Sequence, residues 1–412
     1  MTERCYRWFE YGVAIFVLCV AFWNIHRLDF GGDAVKYALD IGYPHPPLLR
    51  SLMYGNQFFF GIGSWQARLP VIFLQLNSGL LAFLLLQKRG VERLSAIGLS
   101  VVITLAPGAL EIARFGFLSP AFLWATILLW LGCDDLEKEK RAGSALLLLA
   151  SAFACASLLQ SVLLFPSILL IVWRFHKKAP ELWLALAPFF LLMGYVATSP
   201  LILADILSFT HRTNIQPLFS HDPWLLAYAT IGLTTSAWAW IRVRTSVLCI
   251  SGTIFASIVA LFLWRHPENY YVPFALSSTV TGLVCLITSL NRITQRRIAV
   301  CAILGTLMYL PIGFHKEHWD DWNRLDAGLQ DFFHVNNQQQ EIMMLGTFGY
   351  EFDHASPVLL RKFASDKTVR SKIQKVLLLH PESLTKNEND WLSQQKLTNQ
   401  INNLMIYDII NP

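Results

Sequence analysis

Charge is scarce in this chain. Of its 412 residues only 15% are Asp, Glu, Lys or Arg, while 54% are hydrophobic and the mean hydropathy is +0.43. A soluble globular protein carries roughly a quarter charged residues, so an ordinary cytosolic enzyme is excluded. The formal net charge of +5 is small and scattered, and it offers no basic face to nucleic acid. The sequence also lacks G-x-x-x-x-G-K-[ST], G-x-S-x-G and H-E-x-x-H, which removes the P-loop, nucleophile-elbow and zincin chemistries. The seven cysteines contain no C-x-x-C pair: Cys19, Cys155, Cys249, Cys285 and Cys301 lie in apolar stretches, Cys5 near the N-terminus and Cys133 beside a charged loop. They read as small packing residues, not as a disulfide framework. His315 and His318 have a metal-compatible spacing, but with no further ligands they mark the start of a polar domain.

What the chain has is long apolar runs. Tyr11–Leu28, Ala145–Val172 and Val247–Trp264 approach or exceed the roughly 20 residues that cross a bilayer as helix. The first follows Arg4 and Arg7 and lacks a small-residue cleavage site, so it reads as an uncleaved first span. Hydropathy divides the chain into about 11 transmembrane helices, near 11–28, 69–87, 94–108, 116–132, 144–157, 160–174, 180–197, 224–241, 246–264, 271–290 and 298–313. With a cytoplasmic N-terminus, sixteen Lys and Arg fall on inner segments, including Lys88, Arg89, Arg93, Lys138, Lys140, Arg141, Lys177, Lys178, Arg292, Arg296 and Arg297. The outer segments hold seven: Arg27, Lys36, Arg50, Arg68, Arg114, Arg212 and Arg265. The positive-inside rule therefore sets the N-terminus in the cytoplasm and the C-terminal residues outside, in the periplasm or extracellular space.

The reading is a mainly α, polytopic membrane protein of two parts. Residues 1–314 form the transmembrane domain, with outer loops 29–68 and 198–223; residues 315–412 form a small exterior α/β domain. The first loop is amphipathic around Leu48–Phe60, which predicts interfacial helices. In the C-terminal part, Glu341–Gly346, Val376–Leu379 and Leu404–Ile410 predict strands, and Pro357–Ala364 and Glu388–Ile401 predict helices.

The first loop reads Gly31, Gly32, Asp33, Ala34, Val35, Lys36, Tyr37, then Tyr43, Pro44, His45, Pro46, Pro47, Leu48, and ends Ala67, Arg68, Leu69, Pro70. A later outer stretch reads Arg265, His266, Pro267, Glu268, Asn269, Tyr270, Tyr271, Val272, Pro273. In order and spacing this set resembles the GT-C superfamily of lipid-linked-sugar glycosyltransferases, in its bacterial branch related to protein O-mannosyltransferases and aminoarabinose transferases. The resemblance covers roughly residues 10–313. It implies a GT-C-like bundle, a polyprenyl-phosphate-linked sugar donor and chemistry on the outer face. The sequence departs from the pattern at Ala34, where the family has the second acid of a D-E pair, and at Pro44, where it has a carboxylate. It departs again at Leu118–Pro120, where a Thr-Pro-Asp opening is expected, and at Gln160, where a lysine is usual.

Sugar transfer from a lipid phosphate to a hydroxyl needs a base for the acceptor and cations for the departing phosphate. Asp33, just past the first span and preceded by two glycines, suits the base; a solvated loop aspartate or helix N-cap is the plainer role. Lys36, His45, Arg68 and Arg265 are the candidates for donor phosphate, with His45 at a position where the resemblance implies phosphate binding. Arg68 equally suits an ion pair or interfacial anchor, and His45 a loop histidine stiffened by Pro46 and Pro47. Tyr37, Glu111, His266, Tyr270 and Tyr271 are candidate substrate contacts. Glu111 also suits a helical pair with Arg114, and His266, Tyr270 and Tyr271 an aromatic belt. No cofactor is required, and no metal ligand set supports a divalent ion. The activity expected is a membrane glycosyltransferase with a lipid, glycan or protein acceptor, inverting because one base and direct displacement suffice. The alternative is a catalytically degenerate relative that binds a lipid-linked glycan or a partner protein. A secondary transporter would need half-to-half repeats and mid-bilayer ionisable residues, and neither is present.

Overall fold

The computed structural model describes residues 3–23, 25, 45–60, 64–200, 202–203, 223–242, 271–316, 342–345, 359–360, 367–378, 384, 386–401 and 404–410. Helix α1 spans Glu3–Ala21, α2 Pro47–Phe60, α3 Ser64–Lys88, α4 Arg93–Thr104 and α5 Ala109–Arg114. Helix α6 spans Pro120–Glu137 and α7 Ala142–Ser157. A 3-10 turn, Leu159–Leu164, leads into α8, Phe165–Phe175, and another, Pro180–Leu186, into α9, Ala187–Thr198. Helices α10, Pro223–Arg242, α11, Val272–Thr288, and α12, Arg292–Lys316, follow.

Each apolar run expected to be a span coincides with one of these helices, except 246–264, which lies outside the described residues. Among the described residues, two helical stretches could each cross a membrane alone by length and composition: Trp65–Lys88, mean hydropathy 2.0, and Pro180–Thr198, 1.5. Helices α4, α7 and α11 and the stretch Leu159–Phe175 are apolar but shorter. Among the described residues fewer helices pass that test than the eleven expected: backbone breaks shorten some apolar runs, while α6 ends on Asp134, Asp135 and Glu137 and α12 opens on Arg292, Arg296 and Arg297. At Leu158 the chain turns extended (φ −142°, ψ 127°) and divides one run into α7 and α8.

The core is the set of surfaces between helices. Trp130, Phe122, Phe189, Phe274, Leu49, Met53 and Ile72 are almost completely enclosed. Large apolar side chains also stand on the outside, with Leu191, Met308 and Trp173 at least 70% exposed. Water would penalise such a surface; lipid would not. Close approach is secured by small residues. A side chain at Gly79 would collide with Thr104 of α4, and Gly108, at φ +75°, brings its turn against Val272 and Trp224.

Six ion pairs gather at one end of the bundle. There Lys88 pairs with Asp135 at 2.8 Å, Arg89 with Asp134 at 3.3 Å, Lys138 with Asp134 at 2.8 Å and Lys178 with Glu139 at 2.6 Å. Arg93 meets Glu10 at 2.7 Å and Arg296 meets Glu92 at 3.0 Å. Burial alone would push the Glu92 carboxyl up, but the Arg296 guanidinium and the hydroxyl and N–H of Ser95 together hold it below its ordinary range.

The C-terminal sheet has strands β1 Ile342–Leu345, β2 Leu359–Leu360, β3 Lys375–Leu378, β4 Lys396–Ile401 and β5 Leu404–Asp408, in the order β2-β1-β3-β5-β4. The first three are parallel, and β5 runs antiparallel to β3 and β4. Short helices α13, Lys367–Arg370, and α14, Lys386–Leu392, lie between strands. Met343, Leu345, Val376, Leu378, Trp391 and Leu392 form its own core. Two local expectations are corrected. Leu359 and Leu360, expected in a helix, pair with Ile342 and Met343, and the helix expected to reach Ile401 stops at Leu392. Pairing with a neighbouring strand overrides local helix propensity in both places.

Candidate functional site

The opposite end of the bundle holds the described candidates. Helix α1 ends there with carbonyls that its own turns cannot satisfy. Arg68 of α3 donates to the Ile25 carbonyl at 3.1 Å, and Arg114 of α5 donates to the Trp23 carbonyl at 2.6 Å. Both arginines are fully buried. They fix the exit of α1 immediately before the segment that carries Asp33. Arg68 thus has a structural use, whatever else its guanidinium contacts.

Helix α2 begins with Pro47, whose fixed φ and missing N–H suit a first helical residue. Leu49 and Met53 point into the core, while Leu48, Leu52, Tyr54, Phe59 and Phe60 are exposed, as a helix lying along an apolar boundary requires. Pro70 in α3 cannot donate to the carbonyl of Gln66, and the Asn56 side-chain amide of α2 donates to it instead. The proline and the asparagine therefore tie the two helices together around the start of α3.

His45 stands just ahead of α2 and is only 4% exposed. Its Nδ1 accepts the backbone N–H of Leu159 at 3.3 Å. Because α7 is broken at Leu158, that N–H has lost its helical carbonyl. An imidazole that accepts at Nδ1 and is neutral carries its proton on Nε2, which is then a donor. Gln160, where the resemblance led to an expected lysine, is the next residue and is also buried.

Glu111, in the first turn of α5, accepts the Tyr309 hydroxyl of α12 at 3.0 Å. The Tyr309 ring meets Trp224 edge-on, with centroids 4.6 Å apart, and the Tyr228 hydroxyl donates to the Pro107 carbonyl at 3.1 Å. Tyr271 is buried against Phe274, with centroids 5.8 Å apart. Glu111 is thus held across the bundle by Tyr309, a partner that local spacing to Arg114 could not reveal. Asp33, Lys36, Tyr37, Arg265, His266 and Tyr270 lie outside the described residues.

This architecture overlays two crystal structures of ArnT from Cupriavidus metallidurans. The apo state aligns with a TM-score of 0.62 at 11% identity, covering 98% of each chain. The form bound to undecaprenyl phosphate aligns with a TM-score of 0.62 at 13% identity, again over 98% of each. The chain has the fold of ArnT. The apo oligosaccharyltransferase of Archaeoglobus fulgidus overlaps less, with a TM-score of 0.49 at 12% identity, covering 89% of this chain and 69% of that one. No protein-family model matches the sequence, and no curated protein does. The ArnT-like fold is therefore kept here with almost none of the ArnT sequence, which directs attention to the interactions that tie its helix ends together.

Proposed function

We propose that this protein is an integral-membrane glycosyltransferase that moves a sugar from a polyprenyl-phosphate-linked donor to a lipid, glycan or protein acceptor on the outer face. The observation that carries this reading is the ArnT fold over nearly the whole chain, one of whose crystal structures contains undecaprenyl phosphate. In this reading Asp33 removes the acceptor proton, and direct displacement inverts the anomeric centre. Lys36, Arg68 and Arg265 neutralise the departing phosphate and His45 donates a hydrogen bond to it from Nε2, so no metal is called for. Tyr37, Glu111, His266, Tyr270 and Tyr271 line the substrates. Residues 315–412 are the exterior domain, and the ion-paired end of the bundle faces the cytoplasm, in keeping with its basic residues.

A non-catalytic binder is the second reading, favoured by the neutral residues at Ala34, Pro44 and Ser119 where the family pattern carries acids. One experiment separates the two. Purified protein in liposomes is given a polyprenyl-phosphate sugar and a panel of acceptors, beside the Asp33→Asn variant. The amide keeps the shape of the carboxylate but cannot take the proton, so turnover should fall by about 10²–10⁴-fold with donor binding retained. Binding without turnover in the wild type, across the panel, would favour the non-catalytic reading.

A further inference from the structure

Helix α3 carries an exposed amide, Asn77, next to the middle of its Ser64–Lys88 span. At 1.5 Å per residue Asn77 is about 17 Å from Lys88 and farther from Ser64, which is the depth of the hydrocarbon centre for a crossing helix. Its Oδ1 accepts the Trp124 indole N–H of α6 at 2.7 Å, and the Trp124 ring is held in turn against Phe153 of α7, with centroids 4.7 Å apart. The N–H groups of Asn77 Nδ2 make no hydrogen bond among the described residues. Other polar side chains of the helices behave differently. Gln75, two residues earlier, is buried and donates to the carbonyls of Ile103 and Thr104 at 3.0 and 3.1 Å. Gln87 donates to the Val91 carbonyl at 3.1 Å. The exposed Thr198 and Thr234 each donate to the carbonyl four residues earlier, at 2.8 Å. That back-bond is the usual way a helix accommodates a hydroxyl in apolar surroundings.

Asn77 belongs to a row. Phe73, Leu80 and Leu84 are exposed beside it, by 53%, 55% and 43%. Steps of four, three and four residues are those of a heptad seam, so the four side chains line the outer face of α3. Lipid can cover Phe73, Leu80 and Leu84 at no cost. It has no acceptor to offer an amide at this depth. In an apolar seam a single asparagine pairs with its counterpart on a second helix and so fixes the register between them.

The membrane decides which partner fits. Two copies of one chain inserted in the same sense close on each other about a twofold axis along the bilayer normal. Residues at equal depth then face each other, so α3 meets α3 in parallel and Asn77 meets Asn77. Each Nδ2 can donate to the Oδ1 of the other copy, which keeps a second lone pair beside the one that Trp124 uses. The amide is thus complementary to itself, and a second copy brings the missing acceptor at the required depth without any further condition. We propose that this chain forms a parallel homodimer in the membrane through Phe73, Asn77, Leu80 and Leu84 of α3. Hydrogen bonds between helices in lipid are individually modest, so the association is reversible. The inference rests on the membrane location alone and is independent of the donor and acceptor readings above.

The test uses the full chain, labelled at its C-terminus with donor or acceptor fluorophores and reconstituted in liposomes over a range of protein-to-lipid ratios. Energy transfer should follow a two-copy equilibrium. Asn77→Leu alone would strand the Trp124 N–H, so it is combined with Trp124→Phe, which removes both halves of that bond. The double variant should dimerise about 3–20-fold more weakly, the range of an interhelical hydrogen bond in a membrane. A second measurement leaves the amide intact. Mild oxidation of Leu80→Cys should link copy to copy well above the background from the exposed Cys19 and Cys301. Leu149→Cys, 50% exposed on α7, should stay at that background. Absence of energy transfer at the highest ratio would leave this face to lipid and overturn the dimer. Unchanged dimer affinity in the double variant would overturn the role of Asn77, and linking at Leu149 as strong as at Leu80 would overturn the α3 interface.

Discussion

His45 and Leu159 are 114 residues apart in the chain, and the imidazole of the first accepts the backbone N–H of the second at 3.3 Å. The bond closes a helix break inside an apolar bundle, where no water stands by to satisfy a free N–H. The same pattern recurs at the other helix ends. Gln75 donates to the carbonyls of Ile103 and Thr104, and Gln295 to those of Ile287 and Leu290. At these breaks and ends, polar side chains meet the backbone groups that the helices leave open.

Replacing His45 separates its two roles. His45→Ala strands the Leu159 N–H and should destabilise the protein by about 1–3 kcal/mol. His45→Asn places an amide oxygen where Nδ1 lies and should recover most of that loss in thermal unfolding. Both variants lack the Nε2 donor and should bind a polyprenyl phosphate more weakly, by about tenfold or more for a charge-assisted bond. Full lipid affinity in the Asn variant would remove His45 from the phosphate site.

Asn56 and Pro70 should be coupled. Asn56→Ala leaves the Gln66 carbonyl open and should cost about 1–3 kcal/mol. In Pro70→Ala the restored N–H can donate to that carbonyl, so Asn56→Ala should cost much less in that background. A double-mutant cycle on unfolding free energies checks this, and additive losses would contradict it.

Glu111→Gln keeps an oxygen that can accept the Tyr309 hydroxyl, so stability should hold. The Michaelis constant for the acceptor should rise several-fold while kcat changes little. A collapse of kcat here, together with normal turnover in Asp33→Asn, would move the base to Glu111.

Glu92 carries a pH signature. Its folded-state value is depressed, so the stabilisation it contributes is present above the ordinary glutamate range and is lost as pH falls through the depressed value. Glu92→Gln should therefore melt lower than wild type at neutral pH, and the two curves should converge in acid. A constant difference across the acid range would show that the Arg296 pairing is not its source.

The helices were legible because each announces itself locally. Leu74, Leu81 and Leu84–Leu86 in α3 need an apolar surrounding wherever they stand, and Lys88 and Arg89 mark where it ends. The ordered motifs of the first loop and of residues 265–273 pointed to the fold that the ArnT overlay then showed. The candidate site was legible only in part. His45 could be singled out by its flanking prolines, but its partner could not. Glu111 was read against Arg114, three residues on, whereas its carboxylate meets Tyr309, 198 residues away.

By itself the sequence determined the apolar helical character of this protein, the bias of its basic residues and the polar C-terminal portion, because transfer between water and an apolar phase is a property of each side chain and its near neighbours. Only the tertiary structure decided where the backbone breaks, which side chains close those breaks, and that residues 396–401 form a strand beside β5. A hydrogen bond needs its two partners within about 3 Å, and which partners meet at that distance is fixed by packing between helices and strands far apart in the chain.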